Sequence, residues 1–223
     1  MHHPTPHPTN HEDPMPPANP PRPPAVNPTT EHGRAGLTQD RALRTRAQIL
    51  GAAAHAFADK GFPAVTVQDI AQLAGMTKGA VYFHYPNKEA LARAVTDEFY
   101  QTLAHLTHDV EQQHPDPHDA VTQLLTRTAQ AFQSNTLIQA GARLQIERNL
   151  INTDLPTPYI NFTQTITNWL AQTTDPHPQT TARVLTAAFF GAQHISWTLN
   201  NRTDITERTQ EILTTILPTP PTP

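Results

Sequence analysis

Residues 66–85, "TVQDIAQLAGMTKGAVYFHY", constrain the fold more than any other part of this chain. Thr66 has the side chain of a helix N-cap, and Asp69 three residues on supplies the acceptor of a capping box. Ile70, Leu73 and Ala74 form an apolar stripe, and Gly75 closes the segment. Thr77 then caps a second, very short helix, with Val81 and Phe83 expected in the core. Tyr85 suits packing and contact equally. Two short helices joined through a glycine turn make a helix-turn-helix over 67–74, Gly75–Met76 and 77–83.

The flanking sequence extends this unit. "DRALRTRAQILGAAAHAFADKG" places Leu43, Ala47, Leu50, Ala54 and Phe57 at steps of three and four, and Gly61 stops it. Pro86 and Asn87 break the chain before a long helix over about 88–108. Further helices are expected at about 118–134, 136–151, 157–173, 178–200 and 204–217. Sustained period-two alternation is missing, so no sheet is expected. The fold class is all-α: an N-terminal helix-turn-helix domain of three helices joined to a larger C-terminal helical bundle. The expected divisions are a Pro/His-rich disordered tail over 1–36, the small domain over 37–87, the bundle over 88–217 and a frayed end over 218–223. The first of these contains eleven prolines and five histidines before Gly33, too few apolar groups to offset ordering entropy.

Charge divides along the same line. The net charge is -4. Residues 34–93 nevertheless hold eight Lys/Arg against four acids, while 94–223 hold six against twelve. That gradient suits a polyanion partner for the first part only. In a helix-turn-helix the second helix enters the major groove. Lys78 can donate to a guanine O6 or N7, and small residues at Gly79 and Ala80 allow close approach. Thr77 and Tyr82 can reach phosphates, and Lys88 adds charge to the exposed amides of a helix start.

Other classes find little support. The chain has no cysteine, which excludes disulfides, zinc–thiolate sites and a cysteine nucleophile, and fits a reducing cytoplasm. No run of about 18 apolar residues marks a membrane span. No basic segment followed by an apolar stretch marks a secretory leader. H-E-x-x-H, G-x-S-x-G and phosphate-cradling glycine loops are all missing. His55, His84, His105, His108 and His194 are dispersed. No catalytic residue, metal site or cofactor is therefore expected, and the chain does not read as an enzyme.

"RAQILGAAAHAFADKGFPAVTVQDIAQLAGMTKGAVYFHYPNKEALARAV" resembles the DNA-binding domain of TetR-family transcriptional repressors across about 50 residues without a gap. The resemblance implies that Thr66, Thr77, Lys78, Gly79, Tyr82, His84 and Lys88 face DNA, with Arg44 and Arg46 near the backbone or minor groove. It implies a homodimer on an inverted repeat, joined through the last two helices, here 178–200 and 204–217. "IQAGARLQIERNLI", "PYINF" and "AAFFGAQH" are similar to the γ-butyrolactone receptor branch, whose members release DNA on binding a small hormone. The implied ligand has a polar head and an alkyl tail. By resemblance Tyr100, Gln145 and Tyr159 match head-group positions, and Phe162 stands where the branch usually has tryptophan. From the residues themselves, Phe189, Phe190, Gln193 and Trp197 extend an aromatic face. Arg143 either pairs with Glu147 or meets a ligand carboxylate. A receptor-like repressor that has changed its ligand is the alternative, and a lactone-processing enzyme a distant one.

Overall fold

The computed structural model describes residues 1–2 and 28–217. The chain divides into two compact units, Met1–Asp40 and Arg41–Pro223. Among the described residues there are nine α-helices, one 3-10 turn and no strand. They are α1 (Pro28–Ala64), α2 (Val67–Leu73), α3 (Lys78–His84), α4 (Lys88–Gln113), α5 (Pro117–Ser134), α6 (Thr136–Ile146), the 3-10 turn Arg148–Leu150, α7 (Pro158–Leu170), α8 (Pro178–Asn200) and α9 (Ile205–Ile216).

The helix boundaries follow from capping chemistry. The Thr66 hydroxyl accepts from Asp69 N–H at 3.2 Å while Asp69 Oδ2 accepts from Thr66 N–H at 2.8 Å, a reciprocal capping box. Asn87 accepts from Ala90 N–H at 2.7 Å, and Asp116 from Asp119 N–H at 2.9 Å. Asn135 ends α5 and caps α6 through the amides of Leu137 and Ile138. Each such cap stabilises its helix by about 1 kcal/mol.

Two apolar clusters fill the second unit. One gathers Phe57 of α1, Ile70 of α2, Val81 of α3 and Leu91 of α4, and continues into Leu144 of α6 and Leu155 beyond it. The other gathers Phe99 of α4, Phe132 of α5, Ile138 of α6, Phe162 of α7 and Phe189 of α8. Both α4 and α6 contribute to each cluster. With 26 residues, α4 is roughly 39 Å long, enough to serve both.

Several expectations need correction. The first helix starts at Pro28, not Asp40, and a proline is tolerated in a first turn because its missing N–H has no intrahelical partner there. The expected tail therefore overlaps helix at 28–36, while 3–27 and 218–223 lie outside the described residues. The helix expected over 136–151 stops at Ile146. There, Gln145 Nε2 donates to Pro156 O at 2.8 Å and Arg148 Nη2 to Leu155 O at 3.3 Å, drawing the chain into a loop. Leu73 and Leu43 are exposed, and Phe83 is 84% exposed. Both α2 and α3 have only seven residues, so each buries a narrow stripe that Leu73 and Phe83 miss.

Gly61 stops the regular helix as expected. Its backbone sits at φ 79, ψ 167, a conformation open in practice only to glycine. Gly61→Ala is expected to destabilise the protein by roughly 1–3 kcal/mol through this strain alone. Thermal or urea unfolding of the variant checks this, and an unchanged midpoint contradicts it.

Candidate nucleic-acid interface and ligand cleft

The candidate DNA-facing surface is built on α2 and α3, with Lys78 their one lysine. Gly75 turns the chain between them at φ 64, and Met76 N–H closes back onto Ala71 O at 2.9 Å. Thr77 caps α3 by accepting from Ala80 N–H at 3.2 Å. Val81 is fully buried and pins α3 to the core, while Thr77, Lys78, Gly79 and Tyr82 are exposed. The Lys78 ammonium lies 5.7 Å from the Tyr82 ring centroid. A side-chain carbon built on Gly79 would meet only the Thr77 hydroxyl, at 3.9 Å, so open space lies over the start of the helix. No acidic residue occurs in α3. Thr66 is exposed at the start of α2, and hydrogen bonds from Thr66 hold the Asp69 carboxyl below the usual carboxylate range.

The other residues expected at DNA fall into two groups. Arg44 and Arg46 are exposed on α1, the latter with its guanidinium 5.1 Å from the Tyr85 ring. Tyr85 itself is buried and belongs to packing. His84 is half-buried, edge-on to Phe83 at 5.2 Å. Lys88, expected at a phosphate, is engaged within the protein. Its ammonium donates to Phe62 O at 2.8 Å and lies 4.1 Å from the Phe62 ring centroid. The carbonyl and ring hold the charge that sequence reading assigned to a phosphate. Phe83 is the residue that sequence reading misplaced. Its ring stands on the exposed side of α3 beside Tyr82, and periodicity over one turn could not assign it.

The residues expected at a ligand also divide. Tyr100 and Phe162 line a cleft of about 260 Å³ between α4 and α7, with Leu103, His108, Glu111 and Asn161. Asn161 Nδ2 donates to the Tyr100 hydroxyl. Phe162 is buried and stacks on Phe189 at 6.3 Å, and Phe190 lies edge-on to both. Tyr159 packs on Phe190 at 4.5 Å, and burial pushes its phenol up to about 12 against the pull of Arg148. Gln145 and Gln193 are buried polar side chains. Gln145 Oε1 accepts from Arg148 Nη1 at 3.3 Å.

Of the two expectations for Arg143, the structure shows the pairing with Glu147. The Arg143 guanidinium also donates to carbonyls of α1. The ring of Trp197 lies 5.1 Å from this guanidinium and 5.0 Å from that of buried Arg202, whose pKa burial and the Arg143 charge lower to about 10. Among the described residues no group of three His, Asp or Glu side chains could hold a metal ion, and no helix is long and apolar enough to cross a membrane.

Residues 49–95 match the model of bacterial regulatory proteins of the tetR family. The chain is 30% identical over 185 residues to the A-factor receptor protein of Streptomyces griseus, covering 81% of this chain and 65% of the relative. It is 45% identical over 74 residues to the HTH-type transcriptional regulator TtgR of Pseudomonas putida, covering 33% of this chain and 35% of that protein. The chain thus spans less than two thirds of the length of these curated relatives. A solved structure described as the molecular basis for control of antibiotic production by bacterial hormones is 43% identical, with TM-score 0.71, covering 78% of this chain and 95% of that one. A gamma-butyrolactone receptor (ArpA-like protein) is 25% identical, with TM-score 0.62, covering 78% and 98%.

Lys88→Met removes the bond to Phe62 O and the ring contact together. It is expected to lower stability by about 1–2 kcal/mol. Denaturant unfolding measures the loss, and full stability in the variant contradicts this assignment of the ammonium.

Proposed function

From the premise that the chain belongs to the tetR family of bacterial regulatory proteins, we propose that it is a ligand-responsive transcriptional repressor. It binds an inverted-repeat operator as a homodimer in the cytoplasm and is released by a small signalling hormone. The observation that carries the reading is the exposed, acid-free face of α3, capped by Thr77 and pinned by Val81. Lys78 reads a base edge from the start of that helix, and Phe83 meets a thymine methyl or sugar beside it. Arg44 and Arg46 hold the phosphate backbone.

Dimerisation uses α8 and α9. Val184, Ile195 and Leu199 are exposed on α8. Ala188, Gly191 and Ala192 line a shallow surface with Ile212 of α9. An uncovered apolar face with small residues suits a second copy packed helix to helix.

The hormone takes the cleft beside Tyr100 and Phe162 and the neighbouring aromatic cluster. Apolar walls with a few placed polar groups suit a polar head and an alkyl tail. The relatives include an A-factor receptor and a gamma-butyrolactone receptor, and the ordered motifs of α6 to α8 resemble the methylenomycin furan receptor. The ligand class is therefore a γ-butyrolactone, a butenolide or an alkyl-hydroxymethylfuran carboxylic acid, and the regulated genes are those of antibiotic biosynthesis. Phe162 favours a second reading, because phenylalanine lacks the indole N–H of the tryptophan usual in that branch. A repressor whose hormone site has turned to an antibiotic accounts for that change. The proposed divisions are the DNA-binding domain over 37–87 and the ligand and dimer domain over 88–217.

A mobility-shift titration tests the reading on an inverted repeat selected from random sequence. The bound duplex is expected to be released by one of the three hormone classes. Retention at saturating levels of all three removes them as ligands. Lys78→Ala is expected to weaken specific binding by about 1–3 kcal/mol. Equal losses on specific and random duplex would reassign Lys78 to phosphate.

A further inference from the structure

The last turn of α6 has two opposed faces. Arg143 and Glu147 are four residues apart and share one side, while Gln145 between them points away. On its own side Gln145 is 6% exposed and holds the loop after α6 through Pro156 O. That loop is not passive, since Ile151 and Leu155 are buried in the same core as α2 and α3.

On the opposite side the pair grips the end of α1. Arg143 Nη1 donates to Ala58 O at 3.0 Å and to Asp59 O at 2.8 Å. Arg143 Nε donates to Glu147 Oε1 at 3.0 Å, and Glu147 Oε2 accepts from Phe62 N–H at 2.6 Å. Helix ends leave carbonyls without partners, and the guanidinium supplies donors to two of them. Only 17% of the Arg143 side chain and 18% of Glu147 are exposed, so these charge-assisted bonds are sheltered from water. Trp197 covers the guanidinium from α8.

Gly61 makes the grip sterically possible. A side-chain carbon there would lie 2.6 Å from Arg143 Nη2, and closer still to the Glu147 carboxylate. Lys88 of α4 holds the next residue, Phe62, by its carbonyl. The Phe62 backbone is thus bonded to the Glu147 carboxylate at the end of α6 through its N–H and to α4 through its C=O. The Phe62 ring stacks on Phe57 at 6.0 Å, within the core that also seats Val81 of α3.

We infer that the Arg143–Glu147 pair, closed over Gly61, is the clasp through which the last turn of α6, whose Gln145 side holds the following loop, and the helix-turn-helix move each other. This rests on the repressor reading above. A change that turns the Gln145 face turns the clasp with it, because both sit on one helical turn. The end of α1 follows, and α2 and α3 follow α1 through their shared core. Coupling of this kind is reciprocal, so DNA on α3 has to be felt at α6. Arg143 and Glu147 are positioning residues in this scheme and touch neither DNA nor hormone.

Amide exchange followed by mass spectrometry, on the full chain, tests the clasp without any hormone. The probe is a duplex selected from random sequence by the unmodified protein. Binding is expected to slow exchange over residues 143–150 by roughly fivefold or more, the lower end of typical coupling factors. In Arg143→Met the duplex is expected to bind comparably and to protect α3 as before, while 143–150 no longer respond. Arg143→Lys, which regains a cationic donor, is expected to restore part of the response. Should Arg143→Met not fold, Glu147→Gln keeps the shape, removes the charge and is read in the same way. An undiminished response in the variant overturns the clasp and leaves the repressor reading standing, as does no response at 143–150 in the unmodified protein. Failure to select any duplex overturns the repressor reading, and the clasp with it.

Discussion

The carbonyl end of α1 is the constraint on which the rest depends. Gly61 breaks that helix in a conformation other residues avoid, leaving backbone groups at 58–62 in need of partners. They find them on two different helices. Arg143 and Glu147 reach from the last turn of α6, and Lys88 reaches from the first residue of α4. Those are also the two helices shared by both apolar clusters. Polar and apolar contacts therefore join the same elements, and neither part of the second unit can shift without disturbing the other.

Electrostatics make the same division. An overall charge of -4 would oppose DNA binding if it were spread evenly. The acids fall mainly after residue 93, and α3 has none. Lys78, Arg44 and Arg46 stay exposed, whereas Arg143, Arg202 and Lys88 are engaged by carbonyls, rings or a carboxylate. Charge intended for a polyanion is left in water, where Coulomb attraction at a distance of about a Debye length still steers encounter.

What was legible in the sequence was local. Thr66 with Asp69, Gly61, Gly75 and Asn87 announce helix boundaries through residues next to them in the chain, and those boundaries stand within a residue or two. The all-α class followed from the same signals. Partners distant in sequence were not legible. Lys88 and Phe62 are 26 residues apart, and Arg143 and Ala58 are 85 apart. No spacing rule links such pairs, so the sequence points Lys88 to a phosphate and leaves Arg143 open between Glu147 and a ligand carboxylate, with the α1 partners of both hidden. The end of α6 at Ile146 was hidden for the same reason, since carbonyls at 155 and 156 draw the chain away. Phe83 was misread on other grounds, because a helix of seven residues is too short for periodicity to separate its faces. Of the expected ligand residues, Tyr100 and Phe162 share one cleft, and Gln145 is engaged by the loop that follows it.

If a hormone releases the proposed dimer from its operator, it has to change the distance between the paired recognition helices, because half-sites are read at a fixed spacing. The absence of cysteine makes this directly measurable, because a single introduced thiol is the only one to carry a label. Gln72→Cys places a spin label on the exposed side of α2. Pulsed electron resonance on the operator-bound dimer should give one narrow distance distribution, consistent with recognition helices in half-sites about 34–36 Å apart. Adding the releasing hormone to the free dimer should move that distribution by several ångströms. The same narrow distribution with and without hormone, in a protein that the hormone nonetheless releases from DNA, would contradict the account.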